Sequence, residues 1–398
     1  MELPMSKFKL FNLALALVLT TFLIACFNSK NPENENKPDD KKSQPQETAN
    51  SKANVDAPTK FSKILVGKID KYDVVIELNR DNEALTGNYF YETNKPQVIE
   101  FAGPDTLSLS GKVAKDGSFT LTETETKVAS NGEASDKVTG TFTGKIAAEQ
   151  RDGKLSVKLN GDWTKADGSK KFNFFAKEKT LFLGEGVKVV DKKIAEDNKK
   201  NKYTFDADFP QLEGSKDPNF AKFNKEIEDR IQKEYEQFKK DIADFTSDVS
   251  SDSSDVGSYC DMSYDVQLAN KNLISVRFNT GSYSMGAAHP NGGVITFNYS
   301  FKSGRKIELE ELFTKGSPYL DKLNAICKKV AGTEGKYGFF FDASEPKEDI
   351  REWNISEKGL YLHFGVAHVF GDVGTIFIPY SEIKDVINPS GVLAEFVK

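Results

Sequence analysis

The chain has 398 residues and is rich in aromatic side chains, with 30 Phe and 13 Tyr, so it can hold two or three domains with substantial cores and favours β packing. Its 54 basic and 60 acidic side chains leave a net charge of −6. That balance excludes the basic footprint of a nucleic-acid binder and gives no sign of a patch aimed at anionic membranes.

Lys7 and Lys9 precede an apolar run over residues 10–24, and Leu23-Ile24-Ala25-Cys26 has the small-residue-before-cysteine form of a bacterial lipoprotein signal. The run is short for a membrane span. Cys26 is therefore expected to be acylated and to become the mature N-terminus, anchoring the protein in the cell envelope, facing the periplasm or the exterior. An uncleaved anchor or a plain secretory signal is the alternative. Residues 26–60 are Asn, Lys, Glu, Asp, Pro, Gln and Ser with few apolar side chains, and they predict a disordered tether.

Residues 61–179 read as all-β. Leu85-Thr86-Gly87-Asn88-Tyr89, Leu109-Ser110-Gly111-Lys112-Val113, Val138-Thr139-Gly140-Thr141-Phe142 and Leu159-Asn160-Gly161-Asp162-Trp163 share one form. The pairs Asp116-Gly117, Asn131-Gly132, Asp152-Gly153 and Asp167-Gly168 are hairpin-turn signals between them. An antiparallel meander of about eight strands is predicted, curling into a small barrel with a repeated glycine at each bend. Its turns and alternation are similar to lipocalin-like β-domains. Its aromatics suit a ligand cavity or a filled core, and small barrels favour the filled core.

Residues 180–202 read as a charged connector. The rest, 203–398, predicts an α+β domain with helices packed on an antiparallel sheet, in two parts, 203–258 and 259–398. Asp217 as N-cap, Pro218 at the first helical position, and Phe220, Phe223, Ile227, Ile231, Phe238, Ile242 and Phe245 at helical spacing predict a long amphipathic helix. Asp248, Asp252 and Asp255 lack the ligand order of a calcium loop and read as solvated. Strands follow, then a loop from Asn279 holding Gly281, Gly286, Gly292 and Gly293 around His289-Pro290, then a strand through Val294, Ile295, Phe297, Tyr299 and Phe301. Ser303-Gly304 is a turn, Ser317-Pro318 starts a second helix with Leu320, Leu323, Cys327 and Val330 on one side, and two strands close the chain.

The run S-Y-S-M-G-A-A-H-P-N-G-G-V-I-T-F-N-Y-S-F-K-S-G-R-K-I-E-L-E-E-L-F from Ser282, with Gly374-Thr375-Ile376-Phe377-Ile378-Pro379-Tyr380-Ser381-Glu382-Ile383, resembles the C-terminal domain of RsiV-like proteins. Residues 203–244 resemble the accessory domain that precedes it in those sensors and in PdaC-type cell-wall deacetylases. The resemblance implies a partner in the cell wall, either a glycan or a protein that acts on one, such as a lysozyme. It carries over neither a deacetylase catalytic domain nor sigma-factor control, since no cytoplasmic segment is left beside a lipoprotein signal.

Cys260 and Cys327 are the thiols left once Cys26 is acylated, and in an exported protein a disulfide is the simplest reading, two buried free thiols the other. His289, His363 and His368 have no zinc-site spacing, so no metal or cofactor is expected. The segment from Gly281 to Gly286 lacks G-x-S-x-G spacing, and no catalytic residue is assigned. The candidate ligand-binding residues are Tyr283, Ser284, Met285, His289, Pro290 and Asn291. A lipid-anchored extracytoplasmic binding protein is the function expected. An envelope polysaccharide hydrolase or transferase, or a structural envelope lipoprotein, are the alternatives.

Overall fold

The computed structural model describes residues 56–99, 107–128, 134–151, 154–179, 181–246, 257–331, 350–366, 368 and 372–397. All fall in one unit, Asn50–Lys398. The lipoprotein signal, Cys26, most of the tether, the aspartates at 248, 252 and 255, and two of the four expected turns lie outside the described residues.

Strands β1 (Lys60–Ile69), β2 (Tyr72–Asp81), β3 (Ala84–Tyr91), β5 (Leu107–Val113), β6 (Ser118–Val128), β7 (Ala134–Arg151), β8 (Lys154–Lys165) and β9 (Lys171–Glu178) form a closed antiparallel barrel, with β9 back against β1. The Asp-Gly turns at 116 and 167 are as expected, with φ of 78° at Gly117 and 71° at Gly168. The repeated glycines do a different job from bending. A Cβ on Gly111 would sit 1.9 Å from the Thr120 carbonyl oxygen, and one on Gly161 2.0 Å from that of Thr143, so these positions let adjacent strands approach closely. Alternate residues such as Leu65, Ile76, Leu85, Leu121, Phe142 and Leu159 fill the interior. The barrel also begins earlier than composition suggests: Ala57 is buried, and Arg80 Nη1 donates to the carbonyls of Ala57 and Pro58 at 3.1 and 3.0 Å.

One inward slot on β6 carries a carboxylate. Glu123 follows Phe119 and Leu121 at the strand period and is 3% exposed. Tyr89 Oη (2.6 Å) and Trp163 Nε1 (2.6 Å) donate to its Oε2, and Thr139 Oγ1 (2.5 Å) donates to Oε1. Gly140 makes room for this indole, since a Cβ there would lie 2.5 Å from Trp163 Nε1.

The second sheet runs in the order β10 (Lys188–Asn198), β11 (Tyr203–Glu213), β12 (Ser258–Ala269), β13 (Leu273–Tyr283), β14 (Asn291–Ser300) and β15 (Arg305–Lys306). The stretch expected to be a connector thus contains an edge strand, paired along its length with β11. Its charges hid it, because only Val189 of the strand is buried. Strands β11 and β12 are parallel, and α1 (Pro218–Thr246) is their crossover. Asp217 Oδ1 accepts from the Asn219 amide at 2.9 Å, an N-cap contact, and Phe220, Phe223, Ile227 and Ile231 bury one side of the helix on this sheet.

The chain then passes a 3-10 turn (Leu309–Leu312) and α2 (Tyr319–Ala331) to β16 (Glu352–Ile355), β17 (Gly359–Gly365), β18 (Val373–Pro379) and a short helix (Tyr380–Ile383). These build a second core. A buried polar chain links the two sheets. Ser275 donates to Asn298 at 2.6 Å, Asn354 donates to Ser275 at 2.9 Å, and His363 bonds Asn354 through Nε2 and Thr375 through Nδ1, both at 2.9 Å.

The expected disulfide is not formed. Cys260 on β12 packs in the α1 core and Cys327 on α2 in the other core, and both are free thiols. Burial pushes them up, to about 11 for Cys260 and about 12 for Cys327, so both stay protonated near neutral pH.

The remaining strand, β4 (Gln97–Ile99), leaves the barrel and becomes the edge of the second domain's sheet, in the order β16-β17-β18-β4. Ile99 is buried with Tyr361 and Phe377. Lys358 donates to Asp73 at 3.2 Å and to Glu92, tying the same seam. Nearby, Glu77 faces Asp265 and Arg277, and loss of hydration followed by the neighbouring Asp265 raises its carboxyl above the usual range. A carboxylate raised on folding contributes stability at low pH that is lost as pH rises through its folded value. Glu77→Gln is accordingly expected to raise the melting temperature at pH 7, with the gain shrinking as the buffer is acidified toward pH 4; scanning calorimetry at both pH values checks it.

Candidate functional site

Strand β13 runs to Tyr283, past the Asn279 at which the loop was expected to begin, and Ser282 pairs with Asn291, so the glycine-rich loop is a hairpin tip. Gly281 and Gly292 are direct partners inside the sheet, and Gly286, with φ of 88°, turns the tip. Local bonds fix its shape. The Met285 amide donates to Ser258 Oγ and the Ala287 amide to the Ser284 carbonyl, both at 2.9 Å.

All six candidate residues lie on this hairpin, and Ser284, His289, Pro290 and Asn291 are exposed. Tyr283 stacks on Tyr259, its partner on β12, with centroids 5.9 Å apart. One residue pair further along the same face, Asp261 is opposite Gly281. A Cβ on that glycine would lie 2.9 Å from both Asp261 carboxylate oxygens. Loss of hydration, with Asp206 adding, raises the Asp261 carboxyl.

Two further residues come from the segment after β17. His368 stacks face to face on His289, centroids 3.7 Å apart and planes 6° apart. Asp372 accepts from the Gly292 amide at 2.7 Å and from His368 Nδ1 at 3.1 Å. Its φ of 67° is a left-handed conformation that Asp tolerates better than most residues. His289 Nδ1 meets the Pro290 carbonyl at 2.9 Å. A carbonyl and a carboxylate only accept, so each Nδ1 carries a proton and each Nε2 in the neutral ring keeps a lone pair. Sequence reasoning missed His368 and Asp372 because they lie about 80 residues from the hairpin, and it missed Tyr259 and Asp261 because no motif marks them. Register along β12 is what would have flagged the latter pair.

The arrangement offers stacked aromatic faces, two carboxylates approaching paired glycines and an imidazole edge, held by main-chain bonds. It suits hydrogen bonding and stacking to a ligand. Among the described residues no three His, Cys, Asp or Glu side chains come together as metal ligands.

Residues 196–292 match the family model described as Deacetylase PdaC, so the chain carries a PdaC-type domain running from the end of β10 through the hairpin. The match spans 97 of 398 residues (292 − 196 + 1) and leaves His368 and Asp372 beyond it. A DUF3298 family member from Bacteroides fragilis aligns at 18% identity and a TM-score of 0.41, covering 55% of this chain and 99% of that one. A DUF3298 family protein from Pseudomonas aeruginosa aligns at 12% identity and a TM-score of 0.36, covering 51% of this chain and 94% of that one. No curated protein matches the chain.

Proposed function

We propose that this chain is a lipid-anchored extracytoplasmic binding protein whose RsiV-like C-terminal part recognises a cell-wall glycan or a protein that acts on one, such as a lysozyme. The single observation that supports it best is the hairpin tip. It presents exposed His289, Pro290 and Asn291 in a shape fixed by main-chain bonds and by the His289–His368 stack, which is how a recognition surface lowers the entropy cost of binding. One observation favours envelope polysaccharide hydrolysis as the second reading: Asp261 and Asp372 each approach one of the paired glycines, Gly281 and Gly292, so two carboxylates come to the same hairpin.

The test uses the chain from residue 50 onward against lysozymes and purified peptidoglycan. His289→Ala and Tyr283→Ala are expected to weaken capture about tenfold or more, with melting temperatures within a few degrees, about 1 kcal/mol, of the parent. Unchanged affinity in both variants removes the hairpin from the site. Release of soluble sugar fragments, lost in Asp261→Asn, would move the assignment to the hydrolase. Anchoring is tested separately: Cys26→Ser is expected to abolish acylation and shift the protein from the membrane to the soluble fraction, measured by fractionation and mass spectrometry.

A further inference from the structure

A groove that includes none of the hairpin-tip residues has the features of a binding site. About 930 Å³ in volume, it lies between the turn joining β14 to β15, the segment from Glu310 to Gly316, and the chain from Asn388 to Glu395. Its walls are fixed to one another: the Thr314 amide donates to the Val386 carbonyl at 2.8 Å, and the Asn388 amide to that of Leu312 at 3.0 Å.

The lining chemistry is uneven. Tyr319 is backed by Phe313, itself 2% exposed, with centroids 4.3 Å apart and planes 8° apart, which makes a rigid aromatic shelf. Arg305 is occupied by the Glu311 carboxylate at 2.9 and 2.5 Å, and Glu395 by the side-chain amides of Asn270 and Asn272 at 3.1 to 3.2 Å. The exposed Lys302 and Lys315 also line the groove, and among the described residues neither is ion-paired with a carboxylate. Glu310, Asn388 and Ser390 add hydrogen-bonding groups around the shelf.

We infer that this groove binds an anionic saccharide, its ring lying on Tyr319, its hydroxyls meeting Glu310 and Asn388, and its carboxylate or phosphate meeting Lys302 and Lys315. A planar aromatic shelf accepts the apolar face of a sugar ring, and a small number of placed polar groups fix its orientation. Two lysines with no carboxylate partner among the described residues select a negative substituent over a neutral one. The assignment does not rest on the hairpin.

The experiment is titration of the full chain with three matched rings, N-acetylmuramic acid, N-acetylglucosamine 6-phosphate and neutral N-acetylglucosamine, followed by calorimetry or by NMR. At least one anionic sugar is expected to bind about tenfold tighter than the neutral one, and which of the two does so identifies the anion. Lys302→Gln with Lys315→Gln, both surface changes, should bring the anionic sugar down to the neutral level. Tyr319→Ala should abolish binding, and Tyr319→Phe should retain it, which separates loss of the shelf from loss of fold. His289→Ala should leave all three titrations unchanged, so failure of the hairpin proposal leaves this one standing. Equal affinity for neutral and anionic rings, no saturable binding, or an unaltered double-lysine variant overturns it.

Discussion

Glu123→Ala is expected to destabilise the protein by about 3–5 kcal/mol in denaturant unfolding, the largest effect of any single polar substitution in the barrel. The change removes one acceptor group and leaves three donors, Tyr89 Oη, Trp163 Nε1 and Thr139 Oγ1, without their partner in a closed interior. Each orphaned buried donor costs about 1–3 kcal/mol, and the partial exposure of the indole keeps the sum below the simple total. Glu123→Gln discriminates this from a cavity effect. Its amide oxygen still accepts from Tyr89 and Trp163, and its NH2 donates to the Thr139 hydroxyl, so less than half the loss is expected. Equal losses for Ala and Gln would show that the carboxylate charge, rather than acceptor geometry, is what the site requires.

Acid is expected to unfold the C-terminal part through His363. The ring is buried, and burial, with the Arg277 charge adding, holds its pKa well below 6.5. A group depressed on folding contributes stability that is present above its unfolded value and lost as pH falls. Unfolded chain takes up a proton below about pH 6.5 that the folded chain refuses, so stability should fall by up to about 1.4 kcal/mol per pH unit below that point. The neutral ring is also fully used: Asn354 spends its amide hydrogens on Ser275 and the Val276 carbonyl, so its oxygen accepts from Nε2–H, and Nδ1 accepts from Thr375. Protonation of Nδ1 would force Thr375 Oγ1 to turn from donor to acceptor and would place a charge in the buried chain. His363→Gln is expected to lower stability at pH 7.5 yet flatten the decline between pH 6.5 and 4.5; an equally steep decline in the variant would assign the acid sensitivity elsewhere.

The barrel was legible because its signals are local. Asp116-Gly117 and Asp167-Gly168 announce turns, and alternation over Phe119, Leu121 and Glu123 sets which side faces in. The same alternation carries Glu123 indoors, which the residue's own polarity argues against; only three donors from β3, β7 and β8 make it tenable, and none is a sequence neighbour. Helix α1 was legible for the same reason, through Phe220, Phe223, Ile227 and Ile231. β10 was not, because an edge strand with one buried side chain has no apolar period to display. In the candidate site the sequence pointed to the half that lies on one hairpin. The other half, His368 and Asp372, reaches it by tertiary folding, and a histidine stack leaves no pattern in either segment.

The strand that leaves the barrel orders events during synthesis. Val98 pairs with Ile376, 278 residues later (376 − 98), in a chain of 398. Every barrel strand can find its neighbours once residue 178 has emerged, whereas β4 must wait for β18. A contact of that sequence separation closes late. Until β18 arrives, β4 and Ile99 present an open strand edge and an uncovered apolar side chain, the combination that recruits foreign strands. Truncations that end before Val373 should therefore yield a barrel that forms but aggregates, because β18 is the strand that covers β4.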